Sequence, residues 1–479
     1  MDLSRRRAGV IALYQVALRY RKLTPDQLEE VFLGLGSSID GVAALMTAAL
    51  KRVMSQVKNR HRPRPLGSDI DDELALFGAT RVCMINIGTL VPGFRDILAR
   101  SMDGALLSRA LKEISVMLEE DRRKHRKPRS QWPQLATSTI LVILEDLIVS
   151  SRTHLRAALE QNVLRSIAVL CRDGSSTCLA PDVEHFLLEI LHPATLFSDL
   201  HPLLSSSLAD EETSTISRDP AFKRNAFFQP WDRFIQMVKF HEAIFASLPD
   251  PQLSLAACDD LSCGHIAQKS IFQRCSGCRA RLYCSSSCQA SDWGAGEHRA
   301  ACALYRAVRE SSLETFTRRE LRDIRTVLTY HLMKGPIGYT LSTSNALPGI
   351  PNASIFINLA AWSPSDPQDP SSELGPTIEQ EHHGHPLPTW ADWTKRIQRS
   401  NGRMALHVVQ ITLGRRKQQA PGTTLVFALR ESSSFMRDAG CRILESIEGE
   451  GLEGEALARR FQSEWDLLEL PSDLVQIYR

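Results

Sequence analysis

The chain has 479 residues, of which 43% are hydrophobic and 23% are charged, and its formal net charge is +2. This length exceeds what one hydrophobic core supports and predicts two to four domains. The near-neutral charge excludes a global attraction to nucleic acid, and no apolar run approaches the ~18 residues of a membrane-spanning helix. Because the first residues lack the apolar core of a secretory signal, we expect an intracellular protein, nuclear or cytoplasmic, with eleven reduced cysteines.

Residues 1–250 are expected to form one helical domain, because apolar residues recur there at helical spacing. Three segments, 90–101, 147–159 and 191–208, each resemble an apolar helix followed by a break and a second helix. Their separation of roughly 50 residues is close to the length of helical repeats. Two architectures fit this pattern: an α-solenoid similar to HEAT or armadillo repeats, and a non-repeating helical bundle.

Positive charge is concentrated in two stretches, 51–64 and 122–129. Such runs are typical of solvated loops and helix ends, but they also occur in nuclear-import signals and in patches that bind anionic partners. They leave open a nuclear regulator that contacts DNA through these stretches. Steeply salt-dependent binding to duplex DNA would favour that alternative.

Seven of the eleven cysteines lie within residues 258–302, together with His298. Thiolate and imidazole groups are the donors that structural zinc sites use, four to each ion. The cluster therefore predicts two structural zinc ions, Zn²⁺ in both cases. The eight candidate ligands are Cys258, Cys263, Cys275, Cys278, Cys284, Cys288, His298 and Cys302.

The spacing of these donors predicts how the backbone presents them. Cys275-x2-Cys278 has the form of a zinc knuckle, in which we expect Gly277 to take a positive φ. Cys284-x3-Cys288 and His298-x3-Cys302 have the i, i+4 spacing that places two side chains on one face of a helical turn. Interleaved and sequential pairings of the four pairs are both compatible with this order.

Residues 311–479 are expected to form a small α/β region. A helix is predicted over 313–334, and a helical tail from Phe435 to Tyr478. Three runs rich in β-branched residues predict strands, and the stretch 363–388, rich in proline, serine and acidic residues, predicts a disordered loop. The strand segments are 354–362, 405–414 and 423–430.

Residues 274–302, RCSGCRARLYCSSSCQASDWGAGEHRAAC, resemble a MYND-type zinc finger. The matching features are the Cys-x2-Cys pair, an aromatic residue before the next cysteine, the Cys-x3-Cys-Gln run, a tryptophan four residues later and a final His-x3-Cys. The resemblance covers about 45 residues and favours the interleaved ligand pairing. Two features depart from the family: Cys258-x4-Cys263 replaces the usual Cys-x2-Cys, which leaves His265 as an alternative donor, and a glycine-rich gap precedes His298.

The resemblance also implies a protein-interaction module that receives short proline-containing peptides. The matching surface residues would be Tyr283, Gln289 and Trp293, an amide between two aromatic rings. The alternative is that Tyr283 and Trp293 form the small core of the finger. Five nearby cations are candidates to offset the excess thiolate charge: Lys269, Arg274, Arg279, Arg281 and Arg299.

The sequence therefore predicts a mainly α protein with a helical N-terminal half, a cross-braced two-zinc finger and an α/β C-terminal region. The predicted function is that of a non-enzymatic adaptor that binds protein partners. No interaction with a membrane is expected. Some lysine methyltransferases carry a MYND finger within a SET domain, but the Asn-His motif of that domain is absent, since Ala353 and Leu359 follow the candidate residues Asn352 and Asn358.

Overall fold

In the computed structural model, the described residues form a mainly helical protein with few short strands. They fall into two compact units, of which the first comprises residues 1–194, 199–238 and 413–415, and the second comprises 195–198, 239–412 and 416–479. The described residues are 94–124, 132–172, 179–247, 255–294, 298–333, 354–358, 390–400, 403–411, 423–433, 435–452 and 476–478, with single positions between 40 and 57 and between 456 and 467.

The first unit is helical throughout its described part, as predicted. Its helices are α1 (Phe94–Ser101), α2 (Gly104–Arg123), α3 (Trp132–Ser150), α4 (Arg152–Glu160), α5 (Val163–Cys171), α6 (Ala180–His185), α7 (His192–Ala194), α8 (His201–Ala209), α9 (Glu211–Arg218) and the first part of α10 (Phe228–Ser247). A π-helical turn, Phe186–Leu191, joins α6 to α7.

Side-chain caps define where several of these helices begin. Asp103 accepts a hydrogen bond from Leu106 N (2.5 Å) at the start of α2, and Asp210 accepts one from Thr213 N (3.2 Å) at the start of α9. Such caps satisfy backbone N–H groups that have no partner within the first turn. Local sequence therefore sets these boundaries.

Helix α3 is the central helix of the first unit, because residues 136–145 are buried on every side. This burial explains its apolar sequence, which shows no polar face. None of the helices in the described part of the chain combines the length and apolarity that a membrane span requires.

The packing of the first unit does not confirm the solenoid. Helix α2 contacts α5 as well as α3 and α4, and α8 contacts both α4 and α5. In a solenoid each repeat contacts only its neighbours. These contacts join helices of the same or neighbouring helical pairs, which occur in a solenoid and in a bundle alike, so the solenoid is not confirmed. Residues 51–64 and 122–129 lie mostly outside the described residues, so the DNA-binding alternative gains no structural support.

The second unit begins with two short antiparallel ribbons, β1 (Leu255–Ala257) with β2 (Ile266–Gln268), and β3 (Gln273–Arg274) with β4 (Leu282–Tyr283). Three helices follow: α11 (Ser286–Gly294), α12 (His298–Thr315) and α13 (Arg318–Met333). The helix predicted over 313–334 is thus divided. Thr317 caps α13, donating its N–H to Glu320 Oε2 (2.7 Å) and accepting from Glu320 N (3.3 Å). This reciprocal capping box starts a new helix five residues later than the predicted start at residue 313.

A four-stranded sheet in the order β5-β6-β7-β8 completes the second unit. Strands β5 (Ser354–Asn358), β6 (Met404–Ile411) and β7 (Thr423–Glu431) confirm the three predicted strands with slightly different ends. Strand β5 pairs in parallel with β6, and the other two pairings are antiparallel.

The predicted all-helical tail is wrong at its end. Helix α15 (Phe435–Ile447) confirms the first part, but β8 (Gln476–Tyr478) is a strand that pairs with β7, with Tyr478 opposite Leu429. The free edge of β7 offers backbone hydrogen bonds that favour an extended partner over another helical turn. The predicted loop 363–388 lies outside the described residues. Helix α14 (Trp390–Arg399), which follows it, was not predicted.

Candidate metal centre and interaction surface

The structure gathers the eight candidate donors into two sets of four. In each set the donor atoms lie within 4.8 Å of one another. Set 1 contains Cys258, Cys263, Cys284 and Cys288, and set 2 contains Cys275, Cys278, His298 and Cys302. The sets therefore take alternate pairs along the chain, which is the interleaved order rather than the sequential one.

Distances within each set suit a tetrahedral ion. In set 1, Cys284 Sγ lies 3.4 Å from Cys263 Sγ and 3.5 Å from Cys288 Sγ. In set 2, His298 Nε2 lies 3.4 Å from Cys275 Sγ and 3.6 Å from Cys278 Sγ. Zinc–sulfur bonds of ~2.3 Å in a tetrahedron place two sulfurs about 3.8 Å apart. Both donor sets therefore fit zinc.

The unusual Cys258-x4-Cys263 pair forms a compact turn. Cys258 N donates to His265 O (2.8 Å) and Cys263 N donates to Asp260 O (3.1 Å). Gly264 follows with φ +67°, a conformation that favours glycine. The turn brings Cys263 into set 1, whereas His265 lies outside both sets, with its ring against Phe272. The longer spacing thus still supplies two thiols to one set.

The expected role of Gly277 is wrong. Its φ is not positive; Arg279 instead has the positive φ of this knuckle, at 54°. Position 277 requires glycine for a steric reason, because a Cβ atom there would lie only 2.8 Å from Cys302 Sγ. The backbone N–H of Ala280 donates to Cys278 Sγ (3.4 Å), the type of contact that supports a knuckle thiolate.

The two i, i+4 pairs differ in how the chain presents them. His298 and Cys302 both lie in the first turns of α12, as expected, but Cys284 precedes α11. Ser285 is the reason, because its hydroxyl accepts a hydrogen bond from Cys288 N (3.2 Å) and caps α11 there. The glycine-rich gap separates α11, which ends at Gly294, from α12, which begins at His298.

Burial and neighbouring groups set the protonation of the metal-free donors. Burial raises the pKa of Cys302 to about 11, and the nearby Cys278 thiol adds to this effect. Burial also raises the pKa of Cys275, but hydrogen bonds from the N–H groups of Cys278 and Gly277 outweigh it and lower that pKa. Burial lowers the pKa of His298 to about 4, with a smaller contribution from Arg281. His298 is thus a neutral imidazole at pH 7, the form that binds a metal.

The three candidate peptide-binding residues occupy different environments. Tyr283 is 0% exposed and its hydroxyl donates to Asp292 Oδ2 (2.7 Å), so its ring belongs to the core of the finger. Trp293 is 39% exposed, and its ring meets that of His298 edge to face at 5.6 Å. Gln289 is half-buried on α11. Only the last two offer atoms to a partner at the surface.

A buried ion network that the sequence pattern did not predict lies next to the donor sets. Arg281, 1% exposed, donates to Asp259 Oδ1 (3.1 Å) and to Asp392 Oδ2 (2.9 Å). Arg396, 2% exposed, donates to Asp259 Oδ1 (3.3 Å) and to Asp292 Oδ1 (3.1 Å). Of the five cations expected to offset thiolate charge, only Arg281 is buried. Arg396 lies more than 100 residues from both carboxylates, so no local spacing could have revealed these contacts.

Comparison with known proteins identifies the finger. The family model described as the MYND finger matches residues 258–302. No curated protein and no solved structure matches the chain. Residues 258–302 are therefore a MYND finger, whose two Cys/His sets indicate zinc binding and whose family indicates a protein-interaction module.

Proposed function

We propose that the protein is a non-enzymatic intracellular adaptor whose finger holds two structural zinc ions and presents a peptide-binding surface around Trp293. The observation that best supports this proposal is the pair of complete donor sets, each with four protein donors. Four protein donors fill a tetrahedral zinc ion and leave no position for water or substrate. The metals thus serve to shape a small domain that has few apolar side chains of its own.

The surface of α11 suits a short proline-containing peptide. Around the exposed Trp293 indole, the helix exposes small, uncharged side chains, which allow a peptide backbone to approach closely: Ser286, Ser287, Ala290 and Ser291. An extended proline-rich segment offers apolar rings and little conformational entropy to lose, and aromatic side chains bind such segments well.

Zinc in set 2 would hold this surface in place. His298 supplies Nε2 to set 2, and its ring packs edge to face against Trp293. A ring fixed before binding loses less entropy on complex formation than a mobile one. Peptide binding through Trp293 is therefore expected to depend on zinc.

A binding experiment tests the surface directly. Proline-containing peptides selected on the full-length protein are expected to bind Trp293→Ala at least about tenfold more weakly, because such an aromatic anchor contributes ≥ 1.4 kcal/mol. Ile271→Ala is the matched control, since Ile271 is a large apolar residue of the finger that is 53% exposed. Affinity is measured by fluorescence anisotropy, with zinc content recorded for each variant. Equal affinity for wild type and Trp293→Ala, at two zinc ions per chain, would contradict the assigned surface.

Zinc affinity is expected to rise with pH between 6 and 8. Burial raises the pKa of Cys258 above its ordinary range and that of Cys302 to about 11, so both thiols are protonated in the metal-free protein throughout this window. Zinc must displace these protons. For each proton released, the zinc affinity increases about tenfold when the pH rises by one unit. His298 contributes none, because its pKa is lowered to about 4. Competition with a chelator of known affinity measures the slope, and an affinity independent of pH would refute the thiolate assignment.

A further inference from the structure

Helix α14 lies outside the finger, residues 258–302, but contacts it through Arg396. Besides its two carboxylate contacts, the Arg396 guanidinium donates to the backbone oxygen of Asp259 (2.7 Å). One side chain thereby links two separate segments of the finger. A planar guanidinium can do this because its donors point in fixed, divergent directions.

Each of the two carboxylates that Arg396 contacts supports a donor set. Asp259 follows Cys258 directly, and its Oδ2 accepts from Leu282 N (2.6 Å), two residues before Cys284. Asp292 lies on α11 and holds the Tyr283 hydroxyl. The carboxylates thus fix the segments that carry Cys258, Cys284 and Cys288, three of the four set 1 thiols. Partners of this kind orient metal ligands without touching the metal.

Further contacts from the same part of the chain reach the finger. Asp392 accepts from Arg281 and from the Tyr305 hydroxyl, and the Trp393 ring meets that of Tyr305 edge to face at 5.4 Å. Arg403 donates to Leu261 O (2.5 Å) in the turn between Cys258 and Cys263. A Cβ atom on Gly264 would lie 2.4 Å from Arg403 Nη1. Asp392, Arg396 and Arg403 therefore contact the finger at Arg281, at α11 and at the first turn, respectively.

Charge gives these contacts a second role. Four thiolates around Zn²⁺ carry a net charge of −2, and three thiolates with a neutral imidazole carry −1. Asp259 and Asp292 add buried negative charge beside them. Among the described residues, buried cations that oppose this charge include Arg281 from the finger and two from the C-terminal region, Arg396 and Arg430, both at most 3% exposed; Arg430 interacts electrostatically with Cys258. Without the C-terminal arginines, most of the buried positive charge that opposes the thiolates and carboxylates would be lost.

We propose that helix α14, Ser400 and Arg403 complete the metal-binding unit of this protein, with Arg396 as the positioning residue that keeps zinc in the finger. The inference rests on the proposed binding of two zinc ions. It extends the functional unit well beyond the matched residues 258–302, to a helix some 90 residues further along the chain.

Zinc release from the full-length protein tests this proposal. Transfer of zinc to an excess of a chromogenic chelator is expected to be about tenfold faster for Arg396→Met than for wild type, the low end of the effect seen when a supporting partner of a metal ligand is removed. Arg399→Met is the matched control, because Arg399 lies on the same helix with an exposed side chain, and it should release zinc at the wild-type rate. Arg396→Lys retains the charge and is expected to release zinc at an intermediate rate.

The outcomes separate this inference from the proposed function. A wild-type protein without two zinc ions would contradict the proposed function. A wild type that holds two ions, together with Arg396→Met releasing them at the wild-type rate, would overturn only the proposed role of helix α14 and Arg403. If Arg396→Met does not fold, Asp392→Asn decides, since the side-chain contacts of Asp392 with other described residues are those with Arg281 and Tyr305: faster release supports the proposal, and an unchanged rate contradicts it.

Discussion

Replacing Cys278 by serine is expected to reduce the zinc content of the protein from two ions to at most one per chain. Cys278 is fully buried in set 2, where its Sγ lies 3.6 Å from His298 Nε2. A serine hydroxyl is a much poorer zinc ligand than a thiolate, and a structural ion contributes about 10–16 kcal/mol of apparent binding free energy to small fingers. Elemental analysis of the purified full-length protein measures the loss.

Cys171 provides the matched control for this prediction. It is a buried cysteine of α5 that belongs to neither donor set. Cys171→Ala removes one thiol from the chain and is expected to leave two zinc ions bound. A Cys278→Ser protein that still holds two ions would show that set 2 is wrongly assigned. Loss of zinc in both variants would point to general unfolding.

Replacing Asp259 by asparagine is expected to lower the free energy of unfolding of the second unit by about 3–5 kcal/mol, the typical cost of breaking a buried ion pair on one side. Asp259 is 1% exposed and accepts from Arg281, Arg396 and Leu282 N. Asparagine keeps one acceptor oxygen but leaves two buried guanidinium groups without a shared counter-charge. Urea unfolding, followed by the fluorescence of the aromatic residues, measures the change.

The neighbouring Asp260 supplies the control for Asp259. It is also buried, but its carboxylate accepts only from Ser262 N (3.1 Å) and Ser262 Oγ (2.7 Å) among the described hydrogen bonds of its side chain. Asp260→Asn preserves an acceptor for both and should cost about 1 kcal/mol. Equal effects of the two substitutions would mean that the arginine contacts contribute little to stability.

The metal ligands were predictable from sequence because zinc chemistry restricts both donor type and spacing. Close pairs such as Cys275 and Cys278 must reach one ion, so their spacing carries geometric information. The pairing of the sets was not fixed by this local rule, because it depends on how the ribbons and helices cross. The MYND resemblance favoured the interleaved order, and the donor distances agree with it.

The buried ion network could not be predicted, for the opposite reason. Arg396 and Asp259 are ordinary charged residues whose expected position is the surface. Their burial depends on helix α14 packing against the finger, 137 positions away in sequence. Helical periodicity also does not indicate where strand β8 and helix α13 begin. Strand β8 forms because it pairs with β7. Helix α13 begins where Thr317 and Glu320 cap its first turn.

The contacts of Arg396 also change how this finger should be studied. A finger excised at its family boundaries would lose Asp392, Arg396 and Arg403 together, and with them the contacts to Arg281, α11 and the first turn. Binding measured on such a fragment would report on an incomplete domain. The full-length chain is therefore the appropriate material for partner searches.

Zinc K-edge X-ray absorption on the full-length protein, combined with its zinc content, tests the central claim most directly. Seven sulfur donors and one nitrogen donor shared by two ions predict two zinc ions per chain and an average shell of 3.5 sulfurs at ~2.3 Å and 0.5 nitrogen at ~2.0 Å. One ion per chain, or a shell with an oxygen donor from water, would contradict two closed structural sites.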